Sequence, residues 1–173
     1  MPEVTPDATL IIATSWQALG RAESGNERAR VCNCTVIIVF AAFYVEANLN
    51  HFIEKAAILP DLPPPPRENA GLQRKLGWLY NTFIASTPVT DLQELEATLE
   101  QEFPGFQRIR KFRNDVSHGV IDRSTATIEV AKELRKSAKA IAEHIVEIGR
   151  ARGLNIERAV EYEMAISSSD AAA

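Results

Sequence analysis

A chain of 173 residues that is 46% hydrophobic and 24% charged holds enough apolar material for one core, which excludes wholesale disorder. A net charge of -4 and a pI near 5.5 argue against coating nucleic acid through bulk charge, while leaving room for a local basic patch. Two cysteines, Cys32 and Cys34, cannot build a disulfide framework.

Residues 1–7 read as an N-terminal extension. They are acidic and polar, without a basic stretch ahead of an apolar one, so no secretory signal is expected. Asp7 is placed to cap a first helix over Ala8–Ala22, which Gly25 and Asn26 end. Glu27 to Ala57 contains neither Gly nor Pro and reads as one long helix. Its middle, Val36 to Val45, is apolar on every side, which predicts burial all round and a partner subunit on one face. That run is ten residues, short of the roughly 20 a bilayer requires, so no membrane association is expected and the location is expected to be cytoplasmic.

Pro60 and Pro63–Pro66 predict a rigid surface loop. A third helix follows over Glu68–Ile84, with Leu72, Leu76, Leu79, Tyr80 and Phe83 at helical spacing. Asp91 is placed to cap a helix from Leu92 to Phe103, which Pro104 and Gly105 interrupt. Phe106 to His118 continues as helix until Gly119. The last helix, Thr127–Ala151, carries Ile128, Ala131, Leu134, Ala138, Ile141, Ile145 and Ile148 on one face and stops at Gly153. The tail, 153–173, is expected to be partly disordered. Val160, Tyr162, Met164 and Ile166 alternate as in a short strand, while Ile156, Val160 and Met164 would equally suit a helix. The expected fold is an all-α bundle of about five helices spanning residues 8–152. Trp16 and Trp78 lie in its helical stripes, as core residues.

Chemistry concentrates at Arg113-Asn114-Asp115-Val116-Ser117-His118. Arg113 and His118 are five positions apart, about 140° around an ideal helix, so on a straight helix they face different ways. One site could use both if the last turn distorts before Gly119, or if two copies meet across a twofold axis. Around them, Arg108, Arg110, Lys111, Arg113 and Arg123 outnumber Asp115 and Asp122, making a positive patch in an acidic chain. Glu46 and Asn50, one turn apart after the apolar run, either orient Arg113 or His118 from the neighbouring helix or mark where that helix emerges into water. The bland readings are a solvated helix face for the bases, an ion pair of Arg113 with Asp115 or another carboxylate, and a helix-capping His118. Cys32 and Cys34 point about 200° apart on a helix and share no metal. Both read as small buried groups, and His51 and His144 as boundary residues.

The Arg-x4-His arrangement, with Asn in the slot after Arg, resembles the HEPN superfamily of small all-α proteins, many of them RNases. A long apolar second helix before the motif and another long helix after it extend the likeness over residues 8–152. The resemblance implies a metal-independent endoribonuclease with no cofactor, acting as a homodimer. His118 would transfer protons, Arg113 stabilise the phosphate and Asn114 orient, with Glu46, Asn50, Asp115 and Ser117 in support. Arg108, Arg110, Lys111 and Arg123 would bind RNA. The residue types suit attack by the 2′-OH on its own phosphate. His exchanges protons near neutral pH, and Arg is a permanently charged fork of donors. The resemblance further implies a toxin or defence role, with a nucleotidyltransferase-like antitoxin as partner. The alternatives are a non-catalytic HEPN-like module for RNA binding or protein assembly, and a helical adaptor that associates through its apolar helix.

Overall fold

The computed structural model describes residues 6–67, 69–119, 124 and 126–156. Among them run six α-helices: α1 (Pro6–Ser24), α2 (Glu27–Ala56), α3 (Leu72–Leu79), α4 (Leu92–Glu102), α5 (Phe106–Ser117) and α6 (Ile128–Ala151). The described residues contain no strand, and the class is all-α. The strand expected over 160–166 lies outside them, as does Arg123. There are six helices rather than about five because Phe103–Gly105 makes a complete break. Phe103 leaves helical geometry, and Gly105 takes a left-handed φ of 87°, which suits a residue without Cβ.

Side-chain caps open three of the six described helices. Asn26 Oδ1 accepts from the Ala29 N–H at 3.0 Å and opens α2. Asp91 Oδ1 accepts from the Gln93 and Glu94 N–H groups at 3.0 and 2.9 Å and opens α4. Thr127 Oγ1 does the same for α6 through the Val130 N–H. Two starts differ from expectation. Helix α1 already includes Pro6 and Asp7, two residues ahead of the expected start at Ala8. Helix α3 begins at Leu72, after a turn closed by Ala70 N–H to Arg67 O and with Gly71 as N-cap. It runs on into a π-helical turn, Tyr80–Ile84.

Helix α2 is the axis of the bundle, and α1, α6, α5 and α3 pack around it. Its buried side, including Ile37, Ile38, Ala41, Val45, Leu49 and Phe52, meets the α6 stripe of Ala131, Leu134, Ala138, Ile141 and Ile145. At one end Phe52 and Phe83 pack edge-to-face, with ring centroids 5.1 Å apart. Beyond α6, Ile156 folds back onto Gly149, where a Cβ would collide with its side chain.

Within the single chain Val36–Val45 is covered on one side only: Val36 is 37% and Phe43 40% exposed, and Val39 and Phe40 are half-buried, because the other helices enclose only the opposite side. Cys32 is exposed on the same open side, contrary to expectation, while Cys34 is buried. By length and composition α2 would also suffice to cross a bilayer, with a mean hydropathy of 1.6 over its most apolar 18 residues. In this fold it is the central helix. Trp16 is likewise not core: it is 39% exposed, with the Arg135 guanidinium 3.8 Å from its ring centroid. Trp78 is half-buried against Phe83, and its indole N–H donates to Pro63 O in the proline loop.

Candidate functional site

Helix α5 is fixed at its start and open at its end. Both oxygens of Glu100, on α4, accept backbone N–H groups at the head of α5, Gly105 at 2.8 Å and Gln107 at 2.9 Å. A carboxylate at this position also suits the positive end of the helix dipole. Phe106 and Ile109 are buried and fix the rotation of the helix, with Phe112 half-buried one turn on. That rotation turns Arg110, Arg113 and Asn114 toward α2 and the start of α3.

There the side chains of Arg113, Asn114, Arg110, Glu46 and Gln73 line a pocket of about 190 Å³, with Ala42, Gly71 and Leu72 completing its wall. Arg113 is partly exposed. Its Nη2 lies 3.9 Å from Glu46 Oε2, and its Nη1 donates to Asn114 Oδ1 at 3.5 Å, the outer limit of a hydrogen bond. Glu46, but not Asn50, therefore stands at Arg113. Asn50 is exposed one turn further along α2 and does not line the pocket.

The far end of the motif points elsewhere. Helix α5 stays α-helical through Ser117, so the last turn does not distort to bring His118 round to Arg113. His118 is the C-cap, its N–H donating to Asn114 O at 3.0 Å, and Gly119 follows at a left-handed φ of 71°. The imidazole is exposed and lies outside the pocket that holds Arg113. Ser117 Oγ donates to Arg113 O at 2.8 Å, serving the helix backbone. Asp115 pairs with Lys111 at 2.6 Å; the carboxylate beside Arg113 is Glu46.

Of the expected RNA-binding bases, the three among the described residues, Arg108, Arg110 and Lys111, are engaged within the chain. Arg108 meets Glu133 at 2.5 Å on α6. Arg110 meets Glu96 at 2.7 Å on α4 and donates to Gln73 Oε1 on α3. Lys111 holds Asp115. The patch is thus less positive than its bases alone suggest, since each of these three cations shares a carboxylate. Among the described residues no three His, Cys, Asp or Glu side chains gather in a metal-ligating group.

Two polar residues of the site were not singled out in the sequence, Gln73 in the pocket wall and Lys75 behind it. Lys75 of α3 is 1% exposed, and its Nζ donates to Glu46 Oε1 at 3.1 Å. A signal was present: Lys75 stands three residues after Leu72 and four before Leu79, within the stripe read as apolar. Comparison of the chain with protein-family models, curated proteins and solved structures finds no match.

Proposed function

We propose that the protein is a metal-independent endoribonuclease of the HEPN type that works as a homodimer in the cytoplasm. The observation that carries the reading is the pairing of Arg113, Asn114 and Glu46 around one pocket with an exposed His118 at the end of the same helix. Within one chain these groups diverge, and a second copy offers the means to oppose them. The open side of α2 supports that arrangement. On an ideal helix Phe43 and Asn50 lie about 60° and about 40° from Glu46, so the exposed apolar stripe borders the site. Burying Val36 and Phe43 against their symmetry mates would remove two large apolar side chains from water while bringing the two α5 ends together.

In this reading His118 takes the proton of a ribose 2′-OH. The 2′-oxygen then forms a bond to the adjacent phosphorus as the bond to the 5′-oxygen breaks. The Arg113 guanidinium neutralises charge on the phosphoryl oxygens, and Asn114 orients the phosphate. The leaving 5′-oxygen takes a proton from water, and His118 returns the proton it accepted to solvent. The products are a 2′,3′-cyclic phosphate and a 5′-hydroxyl, and DNA, lacking the nucleophile, is refractory. An RNase of this kind would require a neutralising partner in its own cell, a nucleotidyltransferase-like antitoxin by the same resemblance.

A second reading is a non-catalytic module for RNA binding or protein assembly, and the engagement of Arg108, Arg110 and Lys111 with carboxylates of their own chain favours its assembly form. Incubation of labelled RNA with the protein in EDTA separates the two. Cleavage by the wild type, lost in a His118→Ala variant of equal helicity and oligomeric state, is the expected result. Equal cleavage by both would place the chemistry elsewhere. No cleavage across several RNA pools, with the fold intact, would establish the module. Sedimentation of Phe43→Glu checks the interface, with a shift from dimer to monomer expected.

A further inference from the structure

A lysine in the core of a small helical bundle requires a reason. An ammonium loses its hydration on burial, and an apolar side chain of similar volume would fill the same space at lower cost. Lys75 sits in the buried stripe of α3 with Leu72, Leu76 and Leu79, yet it reaches out of that stripe to one carboxylate oxygen on α2. The same carboxylate presents its other oxygen to Arg113 on α5. Lys75, Glu46 and Arg113 therefore form a charge chain across three helices, graded from fully buried to partly exposed. Its outer end is the pocket shared by Arg113, Asn114, Arg110 and Gln73.

We propose that Lys75 is a positioning residue: it fixes Glu46, and through Glu46 holds the Arg113 guanidinium with its donors facing the pocket. The catalytic part of this proposal rests on the ribonuclease reading; the positional part does not. A glutamate held only by a surface arginine would sample several rotamers, and so would the arginine. A buried ammonium leaves the carboxylate one place to be. The order at Arg113 is then set from inside the core, before any phosphate arrives, as preorganised electrostatic stabilisation requires.

The test is Lys75→Met, read in two ways. By NMR of the full chain, the Arg113 Nε–Hε resonance should be distinct and protected in the wild type. In Lys75→Met it should collapse to the mobile arginine envelope, while the Arg135 resonance stays unchanged. In RNA cleavage, kcat should fall at least tenfold with little change in KM, and Lys75→Arg should restore part of it. If Lys75→Met fails to fold, Lys75→Gln, which keeps a neutral donor, should give an intermediate loss of Arg113 order. An Arg113 resonance unchanged in a folded Lys75 variant overturns the proposal. Loss of Arg113 order in a protein that never cleaves RNA would uphold the positional claim and overturn the ribonuclease reading instead.

Discussion

Helices α6 and α5 both lean on α2, but they hold their places by different physics. In α6 an apolar stripe at helical spacing is buried along its length, from Ala131 to Val146. In α5 only Phe106 and Ile109 are buried, and the rest of the helix is held by charge: Glu100 at its head, then Glu133, Glu96 and Asp115 on its bases. Packing accounts for the whole apolar face of α6. It accounts for few of the residues from Arg110 to His118, and a helix that keeps more polar groups than its packing uses is where chemistry is to be sought.

That contrast has measurable consequences. Truncating the α6 face should cost the most stability. Ile141→Ala should lose about 2–5 kcal/mol by urea denaturation, as buried large-to-small changes do. Arg113→Ala should behave in the opposite way. Its stability should stay within about 0.5 kcal/mol of wild type, as at surface sites, while RNA cleavage falls about 10²- to 10³-fold, the usual loss for one preorganised charge-stabilising donor. A large loss of stability in Arg113→Ala would break the comparison by making α5 a structural helix like α6.

Glu100→Ala removes the cap that anchors α5 and should cost about 1 kcal/mol, measured by thermal unfolding. Loss of cleavage beyond that expected from unfolding would show that the cap also aims the motif. The cysteines offer a smaller contrast on α2 itself. Burial pushes the Cys34 thiol above its ordinary value, whereas Cys32 is exposed. A thiol reagent near neutral pH should therefore label Cys32 quickly in the native protein and Cys34 only on unfolding.

The smallest effect lies at the start of α6. Backbone hydrogen bonding, followed by the Thr127 hydroxyl, holds the Glu129 carboxyl below its usual range. A depressed carboxyl contributes stability that is present above its unfolded value and fades as pH falls through the folded one. The acid limb of the wild-type stability curve should therefore be slightly steeper than that of Glu129→Gln.

Much of the fold was legible in the chain. Helical spacing located α6 to within a residue, Asp91 and Gly119 marked the ends of their helices, and Pro104–Gly105 marked the break between α4 and α5. These signals are local, since caps, turns and periodicity act within a few residues of the chain. Arg113 and Glu46 were each legible as candidate residues, because the motif and the polar end of α2 both stand out from their surroundings. Which carboxylate takes which cation was not. Asp115 is nearer in sequence to Arg113, two residues away, than to Lys111, four away, yet the i,i+4 spacing puts it on one helix face with Lys111, and Glu46 of α2 stands at Arg113 instead.

The sequence by itself determined where most of the helices begin and end, which faces are apolar, and that Arg113, Asn114 and His118 lie together at a helix end. Tertiary structure alone decided which side of α2 stays open, because an all-round apolar run carries no mark of the face its neighbours will cover. It also decided that Lys75 is buried on Glu46. A lysine spaced 29 residues from its partner is an ordinary surface residue until two helices close over it, and only then does the loss of water fix the ammonium on the carboxylate.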